Sequence, residues 1–143
     1  MGRTVSGAER ESGYGSMPGG YRIEVSLTPR RICAVYKGKC IAESDAVLVL
    51  KESGHDPIFY FPRLSVRMGF LERSERTTSC PFKGEASYWT INVAGRRAQN
   101  AVWSYEDPLI EVSGIKDYLA FYWDKVDAWY ADDKPLASPA DVA

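Results

Sequence analysis

The chain has 143 residues and a formal net charge of -1, about one domain's worth of polypeptide. No apolar run approaches the roughly 18 residues of a membrane-spanning helix, and no apolar run follows Arg3 to make a secretory signal. The near-neutral balance excludes a general nucleic-acid coat, so a cytoplasmic, membrane-free protein with an aromatic-rich core (Trp 4, Tyr 9, Phe 5) is expected.

Residues 1–20 carry six of the twelve glycines and almost nothing that could form a core face. They read as a flexible leader, because such a segment buries too little apolar area to offset its ordering entropy. Residues 21–130 read as one β domain and residues 131–143 as a flexible acidic tail. Arg22 to Leu27 alternates Ile23, Val25 and Leu27 with polar partners, the pattern of a half-buried strand. Arg31 to Ser44 reads as a hairpin turning at Lys37-Gly38, and Ala46 to Leu50 as a central strand covered on both faces. Ile58 to Phe61 is a short strand ended by Pro62, after which Pro62 to Met68 suits one helical turn. Ser87 to Val93 and Ala98 to Tyr105 form the clearest hairpin, joined through 94–97, with Ala101, Trp103 and Tyr105 on one face. Glu111, Ile115 and Leu119 fit one face of a short helix, and Leu119 to Trp123 reads as a buried strand.

The three cysteines, Cys33, Cys40 and Cys80, do not make a disulfide framework. In a regular hairpin Cys33 faces Ala42 and Val35 faces Cys40. That leaves the two thiol carbons diagonal and about 7–8 Å apart, beyond the roughly 3.8 Å of a disulfide. His55 is the single histidine and no Cys-x-x-Cys occurs, so neither a metal nor another cofactor is expected.

Charge is unevenly distributed. Residues 1–103 hold fifteen basic and ten acidic side chains, whereas residues 104–143 hold three and nine. Either the acidic section packs against the basic body, or a basic face attracts an anionic ligand. Arginines 31, 63, 67 and 73 interleave with aromatics and suit stacking on a base and pairing with a phosphate. The simpler reading is an aromatic core with a solvated basic rim. No phosphate loop, dinucleotide fingerprint or nucleophile elbow occurs.

The most shaped segment is Cys80-Pro81-Phe82-Lys83-Gly84, where Pro81 fixes one φ and Gly84 allows a positive one. A thiolate is favoured beside an ammonium, which makes Cys80 and Lys83 the candidates for a reactive group; the plainer alternative is a small buried thiol and a surface lysine.

The ordered series Gly38 with Ala42-Glu43-Ser44, Tyr60-Phe61-Pro62-Arg63, Val66-Arg67-Met68, Thr78 with Cys80 to Trp89, Ala101 to Pro108 and Ala120 to Trp123 resembles domain-of-unknown-function family 427, also labelled a nucleotidyltransferase family. The resemblance covers about residues 21–130. It implies a small β domain of two packed antiparallel sheets, similar to the β-tent folds of zinc-binding relatives but metal-free, with one or two short helices. The chain shows neither the Gly-Ser nor the paired-Asp motif of established nucleotidyltransferases.

Three functions follow as expectations. The first is a pocket beside the Cys80–Gly84 turn, in which Lys83 and Arg67 hold a small polar or anionic molecule while Trp103, Tyr105 and Cys80 line it. The second is an enzyme on a nucleotide-like substrate with Cys80 or Lys83 reactive. The third is an interaction domain that pairs through a sheet edge, for instance as a homodimer.

Overall fold

The computed structural model describes the backbone of residues 13–16 and all of residues 21–142. Twelve strands are described. They are β1 (Gly13–Ser16), β2 (Arg22–Leu27), β3 (Ile32–Tyr36), β4 (Lys39–Ser44), β5 (Leu48–Glu52), β6 (Ile58–Phe61), β7 (Leu71–Cys80), β8 (Gly84–Val93), β9 (Arg96–Ser104), β10 (Leu119–Phe121), β11 (Ala128–Ala131) and β12 (Lys134–Pro135). They form two antiparallel sheets, one of eight strands in the order β1-β2-β5-β6-β10-β9-β8-β7 and one of four in the order β12-β11-β3-β4. This is the mainly β, two-sheet class that the sequence implies. Most of the leader lies outside the described residues, but β1 pairs with β2. In the tail, β12 pairs with β11.

Period-two alternation places successive side chains on opposite faces. Val49, Phe59, Phe61, Trp89, Ile91, Leu119 and Phe121 of the large sheet meet Ile32, Ala34, Tyr36, Ile41 and Trp129 of the small one. Their neighbours Leu50, Tyr60, Tyr88, Trp103 and Ala120 pack into a second cluster on the other face. That face is closed by Val112 and Ile115 and by the curl of the sheet itself. Four strand spacings separate β5 from β8, about 19 Å if the sheet were flat. Yet Lys83, entering β8, reaches Glu52, ending β5, at 2.7 Å, so the sheet rolls inward on its aromatic side.

Three local readings change. The β3–β4 turn is Lys37-Gly38 with both φ positive (48° and 74°), as a two-residue hairpin requires. A bulge at Ile41 then moves the partner of Cys33 from Ala42 to Glu43. Both Ile41 and Ala42 thereby point into the core, and the added twist brings the Cys33 and Cys40 sulfurs to 2.6 Å, against the wide separation expected of a regular hairpin. Ala101 joins Val102 in the inter-sheet core instead of sharing the face of Trp103, because Asn100 takes a left-handed φ of 52° and breaks the alternation. In place of a helix through Leu119, a 3-10 segment Ile110–Ile115 is interrupted at Val112; β-branched Val112 and Gly114 are poor helix formers. Shorter 3-10 turns follow Pro62 and Arg67.

The uneven charge is largely self-complementary. Asp132 and Asp133 pair with Arg30 and Arg31, Glu106 with Arg63 and Arg73, and Asp127 with Arg96.

Candidate functional site

The turn between β7 and β8 is held at both ends. The Lys83 N–H donates to the Cys80 carbonyl at 3.3 Å, and the Lys83 carbonyl accepts from Leu109 N–H at 3.0 Å. Gly84 sits at φ 110°, a left-handed angle that favours glycine, and a Cβ there would just touch the Asp107 carbonyl oxygen at 3.4 Å. The turn swings Lys83 inward. Its ammonium contacts Glu52, and each side chain is only 8 % exposed. The Tyr21 hydroxyl donates to the other Glu52 oxygen, and the Tyr21 ring stacks on Phe82 at 4.3 Å. Lys83 is therefore neither a surface charge nor free to hold an anion; Glu52 already neutralises it.

Trp103 and Tyr105 belong to the buried cluster against which Cys80 packs. Trp103 Nε1 donates to the Tyr60 hydroxyl at 3.2 Å. Burial, followed by the nearby Cys80, pushes the Tyr105 hydroxyl well above its usual range. Burial does the same to Tyr60. Four of the five expected residues, Cys80, Lys83, Trp103 and Tyr105, thus share one side of the large sheet. Arg67 does not join them. It is exposed, its N–H donates to the Ile41 carbonyl at 2.9 Å and its guanidinium lies 5.0 Å over Phe70, which packs on the inter-sheet core.

Among the described residues, hollows open in two places beside this aromatic face, the first where it meets the inter-sheet core. The first, about 270 Å³, lies where β6 begins and β10 ends. Its walls are Trp103, Phe121, Tyr122, Trp123 and Trp129, with His55 and Asp56 at the margin. The rings are paired: Trp123 lies parallel to Trp129 with centroids 4.5 Å apart, and Trp103 lies 4.6 Å from Tyr122. Trp129 Nε1 is fixed on the Trp123 carbonyl at 3.0 Å. Such a concave, mostly apolar recess with polar groups at its edge has the character of a small-molecule site.

The second hollow, about 400 Å³, is lined by Arg76, Gln99, Asn100, Tyr122 and Lys125. Two bulges flank β8 and build it. Between Arg73 and Thr77 three residues of β7 oppose the single Tyr88; between Ala98 and Val102 three residues of β9 oppose the single Thr90. Bulges re-aim side chains, and these two deliver Arg76 from one flank and Gln99 with Asn100 from the other. Side chains take over the displaced ladder donors. Arg76 N–H bonds Ser74 Oγ at 3.0 Å, and Asn100 N–H bonds Thr90 Oγ1 at 3.1 Å.

The chemistry of this second hollow is cationic. Its lining has no carboxylate, and Arg76 and Lys125 make no ion pair with a described carboxylate. Lys125 Nζ donates to the Gln99 carbonyl at 3.0 Å and lies 5.2 Å over the Tyr122 ring; Arg76 lies 4.9 Å over Tyr88. Asn100 Oδ1 is buried without a hydrogen-bond partner among the described residues. Burial raises the Tyr88 hydroxyl, but bonds from Thr78, Tyr122 and Arg76 reverse this and hold it below its usual value. Its partner Tyr122 is raised, by burial first and then by Tyr88.

The other arginines that suggested phosphate binding are engaged within the chain. Arg63 and Arg73 lie over Trp89 at 5.3 and 4.9 Å and both bind Glu106, while Arg31 pairs with Glu43 and Asp133. Sequence reasoning missed Arg76, Asn100, Tyr122 and Lys125, because their convergence depends on bulges. The one available signal was the aromatic run ending at Tyr122-Trp123, two residues that leave the strand and turn their rings to the rim. Among the described residues no group of three or more His, Cys, Asp and Glu could hold a metal ion, and no helix is long and apolar enough to cross a membrane.

A family model, NTP_transf_9, whose description is "Domain of unknown function (DUF427)", matches residues 24–132. No curated protein matches the chain.

Proposed function

The chain belongs to the DUF427 family, and on that premise we propose that it binds a small molecule composed of a flat ring and an anionic group. The ring inserts into the cleft among Trp103, Tyr122 and Trp123, and the anionic group lies between Arg76 and Lys125. The observation that carries this reading is Tyr122, which lines both hollows and so makes them two compartments of one site. Stacking on such rings contributes about 1–3 kcal/mol per base-sized ring. Charge-assisted hydrogen bonds from a guanidinium add to this and discriminate against a neutral ligand. The Cys80–Gly84 turn supports the aromatic wall from behind and does not touch the ligand, because its lysine is bound to Glu52.

The test uses adenosine monophosphate, adenosine and inorganic phosphate as probes, read by thermal shift and by quenching of tryptophan fluorescence. The nucleotide stabilises the protein more than either half does. Tyr122→Ala abolishes the effect. Arg76→Ala weakens nucleotide binding about tenfold, or about 1.4 kcal/mol, and leaves adenosine unchanged. Arg67→Ala, outside both hollows, changes nothing. A nucleotide no better than adenosine or phosphate alone would overturn the proposal.

A further inference from the structure

The hairpin of β3 and β4 carries chemistry that the aromatic face does not use. Cys33 and Cys40 stand on the outer face of the small sheet, both partly exposed, with sulfurs 2.6 Å apart. Two thiols in a regular antiparallel ladder at these diagonal positions would not touch. The bulge at Ile41 is what closes the gap, because it twists β4 across β3. We propose that Cys33 and Cys40 form a reversible redox site, a cross-strand dithiol that a small-molecule disulfide such as oxidised glutathione converts to an intramolecular disulfide.

The reaction balances as two thiol–disulfide exchanges. The Cys40 sulfur, as thiolate, attacks one sulfur of the external disulfide, breaking its S–S bond and expelling one small thiol. The Cys33 sulfur, after losing its proton, then attacks Cys40 Sγ in the mixed disulfide and expels the second. Two protein S–H groups are lost, one S–S bond forms, and the external disulfide is reduced to two thiols. The order of attack follows from the surroundings. Burial, then the hydrogen bond and charge of Cys40, push the Cys33 thiol up to about 12, which makes it a slow first nucleophile at neutral pH. Once Cys40 is capped as the mixed disulfide, the second and third of those effects are gone. Glu43, 3.8 Å from Cys40 Sγ, and Arg31, which lowers the Cys33 value, are the charged groups facing the pair. Cys80 is excluded, because it lies on the opposite side of the large sheet, in the aromatic cluster.

Oxidation would pin the bulge. The Ile41 carbonyl accepts the Arg67 N–H, and Ala42 bridges to Val66, so a disulfide here stiffens the link between the small sheet and the segment leaving β6.

The experiment equilibrates the full, reduced chain in glutathione buffers of graded oxidised-to-reduced ratio, quenches with acid, alkylates free thiols and maps tryptic peptides by mass. Cleavage at Arg31, Lys37, Lys39 and Lys51 separates the two cysteines, so an internal disulfide appears as peptide 32–37 joined to peptide 40–51. That joined species is expected to grow with the oxidised fraction, to vanish on returning to reduced glutathione, and to leave Cys80 alkylated. Cys33→Ser and Cys40→Ser each abolish it without a new link to Cys80. The proposal is overturned if, at the most oxidising ratio, both cysteines are recovered only as separately alkylated or glutathione-capped peptides.

Discussion

The two faces of the eight-stranded sheet are built from alternate residues of the same strands, yet they do different work. The face against the small sheet is dry and apolar, with Phe59, Phe61, Ile91 and Phe121 interdigitating. The opposite face sets hydroxyls, an indole N–H and an ion pair among its rings; the cationic hollow meets it at Tyr122, and the aromatic hollow lies at the seam where it joins the inter-sheet core, between Trp103 and Phe121. Close packing of hydrocarbon leaves little room for a ligand within the inter-sheet core. Rings with polar handles, each needing a partner, keep that side specific and partly open.

The comparison breaks most sharply at Lys83. Lys83→Ala leaves Glu52 charged and buried, so a loss of about 3–5 kcal/mol is expected, comparable with the roughly 3–5 kcal/mol of Phe61→Ala on the dry face. The faces then differ in rescue. Lys83→Met combined with Glu52→Leu recovers most of the loss by removing both charges, whereas no second substitution refills the Phe61 void as simply. Chemical denaturation of these three variants beside the parent protein decides this, and a double variant as unstable as Lys83→Ala would mean that the pair is net stabilising.

A smaller effect sharpens the same contrast. Tyr60→Phe removes the acceptor of Trp103 N–H and strands a buried donor, so about 1–3 kcal/mol is lost, although only one oxygen has gone. A change within experimental error would mean that water reaches Trp103.

The smallest prediction concerns the rim. Arg73, then Arg63, beside Glu106 hold its carboxyl below the usual carboxylate range. A depressed folded value stabilises the native state above the unfolded carboxylate pKa and ceases to do so as pH falls through the folded value. Glu106→Gln therefore costs about 1 kcal/mol near neutrality, given its partial exposure, and nothing once the pH is below that folded value. Urea titrations at pH 7 and in acid test the sign.

Much of the fold was legible because alternation and turn chemistry are local. The hairpin of β8 and β9 follows from Trp89, Ile91 and Val93 alternating with polar residues, and the turn at Lys37-Gly38 from its glycine. Strand β7 was not legible. Leu71 to Cys80 is a polar, charged edge strand with no buried stripe, as exposed edges usually are. Within the site, Cys80, Trp103 and Tyr105 fell together because strand parity and a short turn put them there. The Lys83–Glu52 pair did not, since 31 residues and the curl of the sheet separate the sequence from the contact. Arg76 and Asn100 were hidden for a related reason: a bulge is a property of two paired strands, and neither strand announces it alone.

Those paired detours have a consequence for tolerance to insertion and deletion. Each adds two residues to its strand, an even number, so Thr77 and Val102 resume the ladder on the same side as Arg73 and Ala98. Deleting a single residue from either detour would invert every later position of that strand; in β9 this would turn Trp103 toward the small sheet and Val102 away from it. Removing two would restore a plain ladder and withdraw one wall of the cationic hollow. Length variation in these strands should therefore come in steps of two, as an arithmetic imprint of the hollow on the sheet.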